Sequence, residues 1–223
     1  MEIKVTRAES NRSRPADSEL GFGQIFTDHM FLMDYEPAQG WYDARIVPYE
    51  DFKINPAAMV FHYAQAIFEG LKAYKTPDKK ICLFRAEQNF KRFNRSAKGM
   101  CIPEIDREFV MNALKKLLIT EEKWIPESPG TSLYIRPVAI ATDSYIGVRP
   151  SNRYLFYIIL SPVGAYYAEG LNPIKIWVAK NHVRSAPGAV GEYKTAGNYA
   201  ASLFFFCESC KRRICSGSLA RCH

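Results

Sequence analysis

Arg184-Ser-Ala-Pro-Gly-Ala-Val-Gly-Glu-Tyr-Lys194-Thr-Ala-Gly197-Asn-Tyr199-Ala-Ala-Ser-Leu203 is the stretch on which the reading of this chain turns. Small and turn-forming residues crowd ahead of Lys194, so the backbone there is expected to pass close to something bulky. Gly197 keeps the space beyond it open. A ligand fits such a place. A lysine becomes a nucleophile only when neutral, which requires burial or a cationic neighbour. By composition alone Lys194 reads as a surface lysine.

Working outward, the chain before this stretch is rich in strand signals. Ser132 to Ala141 and Tyr154 to Leu160 are apolar, β-branched and aromatic runs of strand length, and Ile174 to Val178 is a further candidate. Glu69 to Tyr74 alternates, turns at Thr76-Pro77-Asp78 and returns through Ile81 to Phe84, which predicts a β-hairpin. Gln24 to Met33 reads as a strand, and Gly40 with Trp41 as a turn. Phe90, Phe93, Ala97 and Met100 recur at helical spacing, with Asn89, Lys91, Arg92 and Arg95 on the polar side. Phe109, Val110, Ala113, Leu114, Leu117 and Leu118 form a stronger stripe. Met1 to Leu20 is polar and aperiodic and reads as a loose arm. Pro162, Gly164 and Gly170 suggest a linker over 162–173.

Composition sets the outer limits. The 223 residues are 48% hydrophobic and 24% charged, enough apolar material for a core, which excludes a mini-protein and a disordered chain. No run approaches the ~18–20 apolar residues of a membrane span, and the N-terminus is too polar for a signal sequence, so the expected location is cytoplasmic. Of the formal charge of +7, the last 17 residues hold +3, with Lys211, Arg212, Arg213 and Arg221 against only Glu208, so the rest of the chain is only mildly basic and nucleic acid is not an expected partner. Cys207, Cys210, Cys215 and Cys222 crowd the same tail, unlike a secreted disulfide framework.

With His223, those cysteines outline a candidate zinc site, but only one Cys-x-x-Cys is present and the second half is ragged, so no metal is assigned. Phe204 to Phe206 can be encoded by a thymine run, where a reading frame slips easily. Read one base later, the tail yields a helix-forming segment, a glycine stop and a Val-Leu-Trp-Leu strand. Residues 207–223 are therefore expected to be a frameshift product of a longer parent. Asp28-His29 has no nucleophile at a diagnostic spacing, and Gly21-Phe-Gly23 lacks the third glycine of a dinucleotide loop.

Glu192-Tyr-Lys194-Thr-Ala-Gly197-Asn198-Tyr199-Ala-Ala-Ser resembles the lysine motif of the branched-chain amino-acid aminotransferases, in the D-amino-acid/branched-chain class of pyridoxal-phosphate enzymes. Phe26-Thr-Asp-His-Met30, Phe68-Glu-Gly-Leu-Lys-Ala-Tyr74, Phe84-Arg85, Asn89-x-x-Arg92, Leu133-Tyr-Ile-Arg-Pro137 and Pro162-Val-Gly-Ala-Tyr166 follow that family's order, over about residues 25 to 206. The resemblance implies an α+β, two-domain chain of fold type IV. It would have an N-terminal arm over 1–24, a complete small domain over 25–161, the linker, and a truncated large β-rich domain from 174 to 206.

It also implies pyridoxal 5'-phosphate as cofactor, held by Lys194, which would double as the base that shuttles the substrate proton. Tyr199 would bond the cofactor's phenolic oxygen, Arg92 would grip the phosphate, and Arg184 would be a second nearby arginine. Tyr63, Phe68, Tyr134, Arg136 and Tyr166 would shape the substrate pocket, with Ile146, Gly147 and Val148 arriving from the second chain of a homodimer. The implied partners are leucine, isoleucine, valine and their 2-oxo acids, with 2-oxoglutarate and glutamate. The family's pyridine-nitrogen carboxylate and phosphate-cupping threonines have no counterpart in these residues, so little activity is expected of this polypeptide alone. The alternatives are a D-amino-acid transaminase or aminodeoxychorismate lyase of the same fold and, from another class, a non-catalytic Cys-rich module binding zinc or an acidic partner.

Overall fold

The computed structural model describes residues 1–9, 12–164, 173, 178 and 183–211. Its centre is the pair of strands predicted from their apolar runs, β7 (Ser132–Ala141) and β8 (Tyr154–Val163), which lie antiparallel over their full length. β8 runs past the predicted end at Leu160 and into the proposed linker. Alternation along both strands gives the sheet two distinct faces. Leu133, Ile135, Ala139, Phe156, Ile158 and Leu160 point to one side and are fully buried. Tyr134, Arg136, Val138, Tyr157 and Ile159 point to the other.

Outward from β8 come β2 (His29–Glu36), then β3 (Gly40–Pro48) and, in parallel pairing, β1 (Lys4–Val5). Beyond β7 lie β5 (Leu71–Lys75) and β6 (Ile81–Leu83), the predicted hairpin, while β4 (Ala66–Phe68) pairs the other half of the same β7 edge. A five-residue helix, α1 (Met59–Tyr63), precedes β4. Two 14-residue helices, α2 (Ala86–Gly99) and α3 (Arg107–Thr120), cover one face: Phe90, Phe93, Ala97, Val110, Ala113, Leu114 and Leu117 pack with the inward residues of the sheet. Asp106 caps α3, accepting from the Glu108 and Phe109 amides at 3.0 and 3.1 Å. A smaller cluster around Met30, Leu32, Ile140 and Leu155, joined by Phe52 and Tyr157, lies on the opposite face.

The sequence reading is corrected in two places. The turn sits at Pro37–Gln39, and Gly40 and Trp41 instead open β3, a strand the reading missed; Gly40 has a φ of 71°, which suits the exit from that turn. The segment read as a loose arm is tied down. Thr6 N–H donates to Ile46 O (2.9 Å), Ala8 N–H to His29 Nε2 (2.9 Å), Arg12 N–H to Asp28 Oδ1 (2.7 Å), and Glu127 and Ser128 amides reach Asp17. Its polarity is used in these long-range bonds. Burial pushes the Asp28 carboxyl upward, but hydrogen bonds from Lys123, Trp124 and the Arg12 amide outweigh it and hold the group below its usual value. Asp17 is lowered likewise, with Ser128, Glu127 and Arg14 overcoming its burial.

The candidate strand over 174–178 lies almost wholly outside the described residues. Among them, no helix is long and apolar enough to cross a membrane.

Candidate active site

Lys194 is fixed through its backbone before its side chain does anything. Its N–H donates to Ser96 Oγ of α2 (2.9 Å), and its carbonyl accepts from Phe68 N–H of β4 (3.1 Å). Thr195 pairs with Ile67 and sends its hydroxyl to Ala66 O (2.8 Å), so this short segment adds to the free edge of β4. A short helix follows, α4 (Ala196–Ala200), and then α5 (Leu203–Lys211). Asn198, the buried residue of α4, donates to Val190 O and Tyr193 O at 2.9 and 2.8 Å and locks the preceding turn. Tyr193 packs over Gly99, where a Cβ would meet its ring at 2.2 Å, so the small residue lets α2 approach the lysine segment. The expected space beside the small residues exists: residues 185, 186 and 188–193 line a cavity of about 510 Å³ with Gly99, although the Lys194 side chain does not line it.

The lysine side chain is half-buried. Its Nζ lies 3.2 Å from the Tyr199 hydroxyl and 5.0 Å from the centre of the Phe68 ring, which itself contacts the Tyr199 ring at 4.8 Å. The Arg136 guanidinium lies 4.6 Å from the same Phe68 ring and donates to the Tyr134 hydroxyl at 2.9 Å. Among the described residues the buried Arg136 Nε has no hydrogen-bond partner, an unspent donor. Beside Gly197 the space is open, as the sequence suggested.

A break in the sheet organises this cluster. Phe68 pairs with Val138 and Leu71 with Ile135, so β4 and β5 keep one register along β7 across Glu69 and Gly70. Opposite Glu69 is Pro137, which has no N–H to give, and the ladder is interrupted there; the Glu69 amide still donates to Pro137 O at 2.9 Å. Gly70 is required by close approach, because a Cβ would lie 2.2 Å from the Tyr134 hydroxyl. The Glu69 carboxylate is fully buried and binds Arg92 through Nε and through Nη2 (2.7 Å), with Asn89 Nδ2 and the Gly70 amide each at 3.2 Å. Glu69 bonding raises the Arg92 pKa further above its ordinary value, and the nearby Tyr199 adds to it.

Of the residues singled out from sequence, Lys194, Tyr199, Phe68, Tyr134 and Arg136 therefore meet, and Arg92 stands beside them. Tyr63 packs half-buried against the main core instead. Arg184 is exposed, and among the described residues it makes no bond to this cluster. Ile146 and Val148 are 71% and 88% exposed on a loop whose base is held by an Arg149–Asp143 ion pair at 2.7 Å. Tyr166 lies outside the described residues, as do Cys215, Cys222 and His223. Cys207 is exposed on α5, and among the described residues no three His, Cys, Asp or Glu side chains gather as metal ligands. Glu69, Asn89, Ser96 and Asn198 were not assigned roles from sequence; the adjacent Glu69-Gly70 between two strand runs was the available signal.

Lys194, Arg92 and Arg136 against the single acid Glu69 leave the cluster cationic, with a hydroxyl beside the amine and unspent guanidinium donors. That donor set fits a phosphorylated pyridoxal with its phenolic oxygen and an amino-acid carboxylate. No protein-family model matches the chain. It is 51% identical over 201 residues to branched-chain-amino-acid aminotransferase 2 of Bacillus subtilis, covering 90% of this chain and 55% of that protein. In structure it resembles the branched-chain aminotransferase of Thermoproteus uzoniensis crystallised with norvaline, with a TM-score of 0.67 at 22% identity over 82% of this chain and 57% of that one. The branched-chain amino acid aminotransferase of Thermobaculum terrenum in its PLP form gives 0.61 at 19% identity, covering 82% and 55%.

In fold the chain is of type IV, as those aminotransferases are. In sequence its likeness is to the branched-chain aminotransferases. The chain spans about half the length of the curated relatives it matches.

Proposed function

We propose that this chain carries the lysine-bearing part of a transaminase site that moves the amino group of leucine, isoleucine or valine to 2-oxoglutarate, using pyridoxal 5'-phosphate. The observation that carries the reading is the Lys194 amine, 3.2 Å from the Tyr199 hydroxyl and above Phe68, within a cationic cluster. When bound, the cofactor supplies a reactive aldehyde and an electron-withdrawing ring. Lys194 Nζ holds it and later moves the proton at the substrate Cα. Tyr199 stabilises negative charge on the neighbouring phenolic oxygen through its hydroxyl. Arg92 takes the phosphate on the edge that Glu69 leaves free.

Phe68 and Tyr134 provide an apolar wall for a hydrocarbon side chain, and Arg136 faces the carboxylate. Such a wall separates leucine from valine by only about 1–3 kcal/mol per methylene. Ile146 and Val148, exposed and distant from Lys194 in sequence and contact, serve with Gly147 the site of a second protomer. Tyr63, Tyr166 and Arg184 belong to the same proposed set by resemblance alone. In domain terms the reading is a small domain through residue 161 followed by the start of a large one.

The test is borohydride reduction of the chain incubated with pyridoxal phosphate, followed by peptide mapping. A phosphopyridoxyl group is expected on the peptide containing Lys194 and is lost in Lys194→Ala. Labelling spread over other lysines, unchanged by that substitution, overturns the reading. Conversion of bound cofactor to its amine form by leucine but not by D-alanine separates this function from the D-amino-acid enzymes; reaction with D-alanine alone reverses it.

A further inference from the structure

We propose that Glu69 is a positioning residue: it fixes the plane of Arg92 so that the opposite edge of the guanidinium is presented, beside Tyr199, to a phosphate-like dianion. The inference rests on the proposed function for the identity of that dianion and on this structure for the geometry.

A guanidinium carries five N–H donors in one plane. Glu69 takes the Nε edge, through Nε and one hydrogen of Nη2, leaving three donors on the far side, two on Nη1 and one on Nη2. Those three form a second fork suited to two oxygens of a phosphate. The carboxylate has no freedom to turn. It is 0% exposed, its Oε2 also accepts from Asn89 and Gly70, and its own amide is bonded across the sheet to Pro137 O. The Arg92 side chain, in contrast, is 46% exposed. An ion pair serving only the core would hide both heads. Here the acid is sealed and the base opens outward, so the acid acts as a mount and the arginine as the working face.

Asn89 and Arg92 are three positions apart on α2, which puts both on the same helix face towards one carboxylate. Glu69 in turn lies where Pro137 interrupts the ladder, next to the Tyr134–Arg136 pair. The same sheet defect thus supports the phosphate-facing and the carboxylate-facing arginines.

The experiment uses the full chain labelled with nitrogen-15. The Arg92 Nε–H resonance, identified by its loss in Arg92→Lys, is followed during titration with inorganic phosphate. In the wild type it is expected to shift in a saturable manner. Glu69→Gln should weaken the apparent phosphate affinity by about tenfold, because a neutral amide presents a donor to one of the arginine's own donors. Glu69→Asp, which keeps the charge, should recover part of that loss. Equal titration curves for wild type and Glu69→Gln overturn the proposal.

A second readout compares pyridoxal phosphate with unphosphorylated pyridoxal. Glu69→Gln should reduce the preference for the phosphorylated compound by about tenfold while pyridoxal binding stays the same. Equal weakening of both indicates a role in folding alone and overturns it. Should Glu69→Gln not fold, Asn89→Ala decides: about a twofold loss of phosphate affinity supports the mount, and no change removes it. Loss of the Lys194 label with an intact phosphate response at Arg92 would sink the transaminase reading while leaving this inference standing.

Discussion

Two carboxylates in this molecule, Glu121 and Glu69, are both fully buried beside a basic side chain, yet they do opposite things. Glu121, just after α3, bonds His29 Nδ1 and accepts from the Asp28 amide at 3.0 Å. The Ala8 amide donates to His29 Nε2, which assigns the tautomer with the proton on Nδ1, toward Glu121. Asp28 closes the circuit with Trp124 Nε1 at 3.0 Å and Lys123 at 2.8 Å. The His29 side chain is only 7% exposed, so the Glu121–His29 pair faces inward and fastens the N-terminal segment to the sheet, while Lys123 caps Asp28 from the surface. Around Glu69 the acid is equally sealed, but its arginine reaches solvent. Where the base also hides, as His29 does, the buried carboxylate is a fastener; at Glu69, where Arg92 emerges with three donors unused by the acid, the proposed role is a mount for a binding surface.

The strongest challenge to this contrast is to remove each acid. Glu121→Ala leaves His29 Nδ1 and the Asp28 amide buried without their acceptor and should cost about 3 kcal/mol. Glu69→Ala should cost about half as much, because Arg92 can turn its head into water. Urea unfolding monitored by circular dichroism compares them, and a larger loss at Glu69 would break the distinction. Next in size is Gly70→Ala. Its methyl group displaces the Tyr134 hydroxyl and should cost about 1–3 kcal/mol by overpacking, with loss of the Tyr134–Arg136 bond. The double variant with Tyr134→Phe should recover much of this stability, which the same unfolding curves would reveal.

Acid provides a gentler probe of the closed network. Asp28 and Asp17 have pKa values below their ordinary 3.8 in the fold, so their stabilisation is complete above that value and disappears as pH falls through the lower, folded one. Glu121 runs the other way: burial raises it above 4.5 despite the His29 and Asp28 bonds, so its own share is greatest in acid and declines as pH rises through its folded value. Protection of the Arg12 amide against hydrogen exchange should therefore fall only below about pH 4, and Asp28→Asn should flatten that response. Loosening between pH 7 and 5 would contradict the assignment.

The contrast also explains how much of the molecule is legible in its sequence. α3, β7, β8 and the β5–β6 hairpin announce themselves because their apolar residues repeat locally, and their burial follows the same period. β3 escaped because Asp43 and Arg45 pair on its surface and disguise an alternation carried only by Ala44 and Ile46. α1, at five residues, has too few turns to show a period. The N-terminal segment could not be placed because its anchors lie 16 to 113 residues away and are polar. Lys194 and Tyr199 were legible as a motif, five residues apart. Glu69 was not, since its bonds depend on a helix 20 residues downstream folding back over a proline-broken ladder.

The loop tip gives the outermost limit of the comparison, with side chains that this chain neither buries nor bonds. Ile146→Ser with Val148→Ser should alter stability by no more than about 0.5 kcal/mol, since little apolar surface leaves water at either position when this chain folds. Such exposed aliphatic groups gain nothing from the fold that displays them, whereas the Arg149–Asp143 pair at the loop base keeps their presentation fixed. If they close the site of a second protomer, the same double substitution should change self-association, measured by sedimentation, and leave the melting temperature of the monomer in place. A large drop in monomer stability would instead make the tip part of the core and remove it from the open side of the comparison.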